Sequence, residues 1–241
     1  MEALGLKARP KELPKLQACA AIGQGKLMKI YEDYFSRRHF HTAQILLTRD
    51  GLQDRERYLN ARNTLNALLH MRILPIVNEN DTVATEEIRF GDNDILSALV
   101  SSLIAADLLV ILSDVDGFYL KDKTRLGTIH SLSQIESELK EHLYTVQREK
   151  TRGGMEAKLE AARFAMQAGV PMVIASGLGT GVLAKILGRE SVGTWFYANE
   201  RKRAQRKNWL AFSHTKGDIE IDEGAVRAVV HGGKSLLPSG I

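Results

Sequence analysis

Three short stretches hold residues whose types and spacing could act together on a charged substrate. The first runs from Asn78-Glu79-Asn80-Asp81 to Gly91-Asp92-Asn93-Asp94 and gathers acceptors, amide donors and anionic charge in one place. The second is Ser113-Asp114-Val115-Asp116-Gly117. The third is Lys150-Thr151-Arg152-Gly153-Gly154-Met155-Glu156-Ala157-Lys158. Paired glycines before a helix let backbone N–H groups approach a phosphate, and the helix dipole favours its charge. Lys158, on the first turn, would add a full positive charge. The Gly-Lys-Ser/Thr ending of a Walker A loop is missing. Each stretch alone has a plainer explanation. Asp-Asn-Asp before a helix is ordinary capping, Asp-Gly is an ordinary turn, and a Gly-Gly loop is a weak signal. Together they suit phosphoryl transfer, which needs donors around a polyphosphate, a lysine against developing charge and a positioned acceptor.

The elements that must position these stretches can be read from periodicity. Ile73–Val77 and Leu108–Leu112 are continuous apolar runs that predict buried strands ending just before the first and second stretches. Ala43–Thr48, Met172–Ala175 and Trp195–Tyr197 predict further strands. Helical spacing predicts Asp54–Arg72, a helix from Ile95, Met155–Ala168 and the short Val182–Leu187. Leu13–Phe35 reads as a helix or helix pair in which Gly23 and Gly25 imply a break or close packing. Strands alternating with helices predict a mainly parallel sheet in a layered α/β domain. Such sheets bind ligands beyond the carboxyl ends of their strands, where all three stretches fall. After about Thr194 the pattern changes. A basic segment, Asn199 to Asn208, precedes Trp209–Phe212, Asp218–Ile221 and a helix-like Glu223–Val230, which suggest a second, smaller unit.

At this level of detail the chain resembles the glutamate 5-kinases of the amino-acid kinase superfamily. The matching segments are Ala20-Ala21-Ile22-Gly23-Gln24, Gln44–Thr48, Asp54–Arg62, Asn78–Asp81, Gly91–Asp94, Gly153–Lys158 and Asp222–Ala225. The closing Lys234–Ile241 is similar to the start of that family's PUA domain. The resemblance implies a three-layer, mainly parallel α/β sheet of the amino-acid-kinase type over 1–198, a basic linker over 199–207, and the start of a small β-rich PUA domain over 208–241. It implies transfer of the γ-phosphoryl group of Mg-ATP to the γ-carboxylate of L-glutamate, the first step of proline synthesis. Carried over by motif, Asp81, Asn93 and Asn78 would hold glutamate. Ser113, Asp114 and the run Arg152, Gly153, Gly154, Met155, Glu156, Ala157 and Lys158 would contact ATP. Lys158 would face the transferring phosphate as a catalytic residue. Asp92, also placed with the catalytic residues, and Asp94 would orient the loop or organise Mg2+ through water.

Relatives of this kind also carry a strand ending in Lys-x-Gly-Ser/Thr and a second ending in a Ser-Gly-Ala loop. Neither is present, so the sheet is expected to be N-terminally incomplete, and these residues by themselves are expected to have little or no kinase activity. Many relatives have a small residue where Arg152 stands.

The totals narrow the field. The chain has 241 residues, 44% hydrophobic and 26% charged, enough to bury a sizeable core. Its single cysteine, Cys19, cannot form an internal disulfide, and no signal peptide or membrane span is evident, so a cytoplasmic setting is expected. Seven scattered histidines and one cysteine make no metal cluster, so no protein-held metal is expected. Net charge is only +4, but Arg201-Lys202-Arg203 and Arg206-Lys207 cluster it. An RNA-binding protein acting through this segment and the PUA-like end is an alternative. The lack of aromatic residues among the basic ones weighs against it. A remnant that only associates with intact subunits is another. A homo-oligomer is expected of the complete protein, with the Asp54–Arg72 face available for self-association.

Overall fold

The computed structural model describes residues 10–83, 93–119, 124–131, 133–135, 137, 154–197 and 220–233, with the side chains of Arg49 and His231 excepted. Pro14 in the first turn opens the first helix, α1 (Leu13–Ser36), because its missing N–H has no partner to lose there. The helix is unbroken and none of its residues is buried. A Cβ on Gly23 or Gly25 would meet nothing within 4 Å, so these glycines mark neither the expected break nor close packing. The cost of about 1 kcal/mol for each glycine is carried by the long run of helix formers around them.

Strand β1 (Thr42–Leu47) is followed by α2 (Arg49–Gln53), α3 (Arg55–His70) and β2 (Leu74–Glu79). Thr48, predicted as a strand end, instead caps α2 by accepting from the Gly51 N–H at 3.2 Å. Asp54 caps α3 through the Arg57 N–H at 2.9 Å. The crossover lays β1 and β2 parallel, in register from Thr42 opposite Leu74 to Leu47 opposite Glu79. Leu52, Tyr58 and Leu65 pack beneath them with Leu96 and Leu103 of α4 (Asn93–Leu103).

The larger sheet is built from β3 (Leu109–Ser113), β6 (Thr128–Ile129), β7 (Met172–Ser176) and β8 (Thr194–Phe196), in the order β3-β7-β8-β6. β3 and β7 run parallel, from Leu109 opposite Met172 to Ser113 opposite Ser176. Alternation along β7 explains its unbroken apolar sequence. Met172 and Ile174 enter the main core with Leu159, Ala162 and Met166 of α5 (Gly154–Ala168). Val173 and Ala175 face the other way, against Ile186 of α6 (Val182–Leu187). Three pairings are parallel (β1–β2, β3–β7 and β6–β8), while β8 returns antiparallel to β7. A two-residue antiparallel ribbon of β4 (Phe118–Tyr119) and β5 (Arg125–Leu126) was not foreseen, nor was β6.

The chain divides into Met1–Ala211 and a second unit, Phe212–Ile241. In the second, α7 (Glu223–Val226) is capped by Asp222 and runs into a π-helical turn over Arg227–His231. Trp209–Phe212, the basic Arg201–Lys207 and the closing Lys234–Ile241 lie outside the described residues, and Glu220 and Ile221 form no strand. Among the described residues no helix is long and apolar enough to cross a membrane.

Candidate active site

Carboxyl ends of strands and amino ends of helices converge where the sequence placed its chemistry. Asn78 stands near the end of β2, and Asn93 and Asp94 form the first turn of α4. These two consecutive residues reach in different directions. Asn93 Nδ2 donates to Asn78 Oδ1 at 3.2 Å. Asp94 Oδ2 accepts from Lys158 Nζ at 2.9 Å, which ties α4 to the first turns of α5. Both charged side chains are largely covered, Lys158 at 12% exposure and Asp94 at 15%. Lys158 Nζ also donates to the Gly154 carbonyl at 3.3 Å. These two donations hold the ammonium beside the first turn of α5, where backbone N–H groups and the dipole already favour an anion.

At the end of β3, Ser113 donates its hydroxyl to Asp114 Oδ1 at 2.9 Å. That bond is the main reason the Asp114 carboxyl is held below the ordinary carboxylate range, and its own backbone N–H helps. The Lys158 charge pulls in the same direction, against a desolvation that raises the value. Asp114 thus stays ionised beside Lys158. The rest of the second stretch has a structural task. Asp116 accepts from the Tyr119 hydroxyl at 2.7 Å and pairs with Arg125 at 3.6 Å. Gly117, at φ 155°, has no room for a Cβ against Thr194 Oγ1. The plainer, structural reading of that stretch therefore holds for its second half.

Asp81 follows β2 and is half-buried, with no hydrogen bond or ion pair to the other described residues. Gly154 opens α5, and a Cβ there would meet nothing within 4 Å. Met155 packs its side chain against the main core, so a ligand beside this turn would meet its backbone. Glu156 is exposed and Ala157 half-buried on the same turn. Asp92, Arg152 and Gly153 lie outside the described residues. A cavity of about 360 Å³ opens between β2, α4 and β3, lined in part by Val77, Asn93, Ser97 and Leu109.

Two contributors escaped the sequence reading. Gln24 of α1 accepts at Oε1 from Asn78 Nδ2 at 2.9 Å. The loop after β7, Gly177-Leu178-Gly179-Thr180-Gly181, is joined to the site by the Gly177 N–H, which donates to the Ser113 carbonyl at 2.7 Å. Its glycine spacing was the available signal; Gln24 had none beyond its place in a matching segment.

The sequence profile described as the Amino acid kinase family matches residues 1–176. The chain belongs to that family. It is 48% identical to the glutamate 5-kinase of Carboxydothermus hydrogenoformans, over 100% of this chain and 65% of that protein. The glutamate 5-kinase of Moorella thermoacetica is 46% identical with the same coverage, and that of Nitrosococcus oceani 48%. The chain thus spans 65% of the length of these curated relatives. Among solved structures, carbamate kinase of Giardia superposes with a TM-score of 0.53 at 18% identity, covering 82% of this chain and 78% of its own. That likeness establishes the shared amino-acid-kinase fold.

Proposed function

We propose that this site transfers the γ-phosphoryl group of ATP to the γ-carboxylate of L-glutamate, giving glutamyl 5-phosphate and ADP. The observation that carries the reading is the divergence of Asn93 and Asp94, one joined to Asn78 and the next to Lys158. An amide pair suited to an amino acid then stands beside a cation suited to a phosphate. The relatives named glutamate 5-kinase support the choice of acceptor.

In this reading Asp81 and Asn93 receive the ammonium of glutamate, and Asn78 holds Asn93 in place. Ser113, Asp114 and the run Arg152–Lys158 flank the nucleotide, with Lys158 neutralising charge that develops on the transferring group. A γ-carboxylate oxygen forms the new bond to phosphorus as the bond to the β,γ-bridging oxygen breaks and ADP departs. The acceptor is already ionised at neutral pH, so the step requires no base, and positioning and charge neutralisation supply the rate. Among the described residues there is no group of three or more His, Cys, Asp or Glu able to hold a metal. That donor set fits magnesium carried largely by substrate phosphates and water, with Asp94 or Asp92 as outer partners, and the ion would screen the phosphate charge.

We extend the proposal to three further points. Residues 208–241 are read as part of a PUA-like unit, supported by the separate compactness of Phe212–Ile241. Cytoplasmic location and self-association through the α3 face complete the reading. Calorimetric titration of L-glutamate into the chain with a non-hydrolysable ATP analogue tests the substrate assignment. Saturable binding, weakened about tenfold by Asn93→Ala, is expected. Absence of binding by the unaltered chain refutes the assignment.

A further inference from the structure

Gln24, Asn78 and Asn93 form a chain of three primary amides with a direction. Asn93 Nδ2 donates to Asn78 Oδ1 at 3.2 Å, and Asn78 Nδ2 donates to Gln24 Oε1 at 2.9 Å. An amide in such a series donates at one end and accepts at the other, so the orientation of each fixes the next. The consequence at the open end is that Asn93 engages Asn78 through Nδ2 and keeps Oδ1 available to a ligand. Asn93 is exposed, and Oδ1 accepts nothing from the described residues. At the closed end Gln24 Nε2 is buried without an acceptor among them. An unpartnered buried N–H is rare and costly, so its presence here needs a reason.

We infer that Gln24 is a positioning residue which sets the direction of this relay, so that Asn93 presents a carbonyl oxygen to the ammonium group of an amino-acid substrate. The inference rests on the reading of the site as a glutamate pocket and names how that pocket recognises the α-amino group. Gln24 serves as the terminal acceptor. While its Oε1 takes the Asn78 N–H, Asn78 must offer Oδ1 to Asn93, and Asn93 must offer Oδ1 to the ligand. Reversing the relay would place Asn93 Nδ2 in the pocket, where a donor repels an ammonium. Asp81 supplies charge to the same group, while the relay supplies direction and discriminates between ligands that have the ammonium and ligands that lack it.

The test compares L-glutamate with glutarate, which keeps both carboxylates and has no ammonium. Affinities are measured calorimetrically on the full chain with a non-hydrolysable ATP analogue, for the unaltered protein, Gln24→Met and Gln24→Glu. A methionine fills similar space and ends the relay. A carboxylate can only accept, so it enforces the observed direction and removes the orphaned N–H. The expected result is a loss of about tenfold in L-glutamate affinity for Gln24→Met, little change for glutarate, and recovery of L-glutamate affinity in Gln24→Glu. Equal losses for both ligands in Gln24→Met would mean a merely structural role and overturn the inference. Recovery absent in a folded Gln24→Glu, checked by its thermal transition, would overturn the direction assigned to the relay. Failure of the unaltered chain to bind L-glutamate would instead remove the glutamate reading, and this inference with it.

Discussion

Replacing Lys158 with methionine separates α4 from α5 at one point and leaves the rest of the interface in place. The Nζ–Oδ2 distance is 2.9 Å, with only 12% and 15% of the two side chains exposed. At an effective dielectric constant of about 20, charges this close attract by roughly 6 kcal/mol. Desolvation of two largely covered ions offsets most of that, at several kcal/mol per ion. What remains is of the size of a hydrogen bond between charged groups, about 2 kcal/mol. This exceeds the upper limit of about 1 kcal/mol typical of exposed pairs. Urea unfolding of the unaltered chain, Asp94→Asn, Lys158→Met and the double variant isolates the coupling. The expected coupling is about 2 kcal/mol, the double variant being destabilised by that much less than the two single variants summed. A coupling below about 0.5 kcal/mol would show that the covered pair is no stronger than a surface one, and that Lys158 is not pre-positioned by Asp94.

Three further outcomes follow from neighbouring features. Thr194→Val removes the acceptor of the buried Phe118 N–H, bonded at 2.8 Å, and should cost about 1–3 kcal/mol in urea unfolding. Arg189, exposed just after α6, holds φ 58°, so Arg189→Gly should stabilise by about 1 kcal/mol, seen as a raised thermal midpoint. Ser113→Ala removes the main cause that depresses the Asp114 carboxyl, and an NMR titration should find that group closer to its ordinary range. Because the folded value is the lower one, Asp114 stabilises above its unfolded pKa, and that contribution is lost as pH falls through the folded value. The alanine variant should narrow that acid window.

Much of this arrangement could be read in the sequence because burial on two faces leaves an unmistakable mark. β7 is a continuous apolar run since both of its faces are covered; β3 reads the same way although Leu112 is exposed, and both were placed to within a residue. The ends of helices were less legible. α1, α3, α4 and α6 are each followed by a left-handed residue, His39, Arg72, Ala105 and Arg189 respectively, where glycine is the usual signal. Their closing bonds, such as Ile73 N–H to the Leu68 carbonyl at 2.9 Å and Ala106 N–H to the Ser101 carbonyl at 2.8 Å, are the local bonds that a glycine at the left-handed position would also make. β4, β5 and β6 have two residues each, too short for any alternation to register. In the site, Asn78, Asn93, Asp94 and Lys158 stood out because polar residues crowd where strands end. Gln24 lies 54 residues before Asn78 in a helix without a buried residue, and only the folded chain joins them.

Hydroxylamine trapping tests the central claim most directly. The chain is incubated with L-glutamate, Mg-ATP and hydroxylamine, and γ-glutamyl hydroxamate is measured beside the same reaction with Lys158→Met. The account predicts hydroxamate that requires both ATP and L-glutamate, however slowly it forms, and a yield at least about 100-fold lower without the Lys158 ammonium. An equal yield from Lys158→Met, or hydroxamate that forms without ATP or L-glutamate, would contradict it.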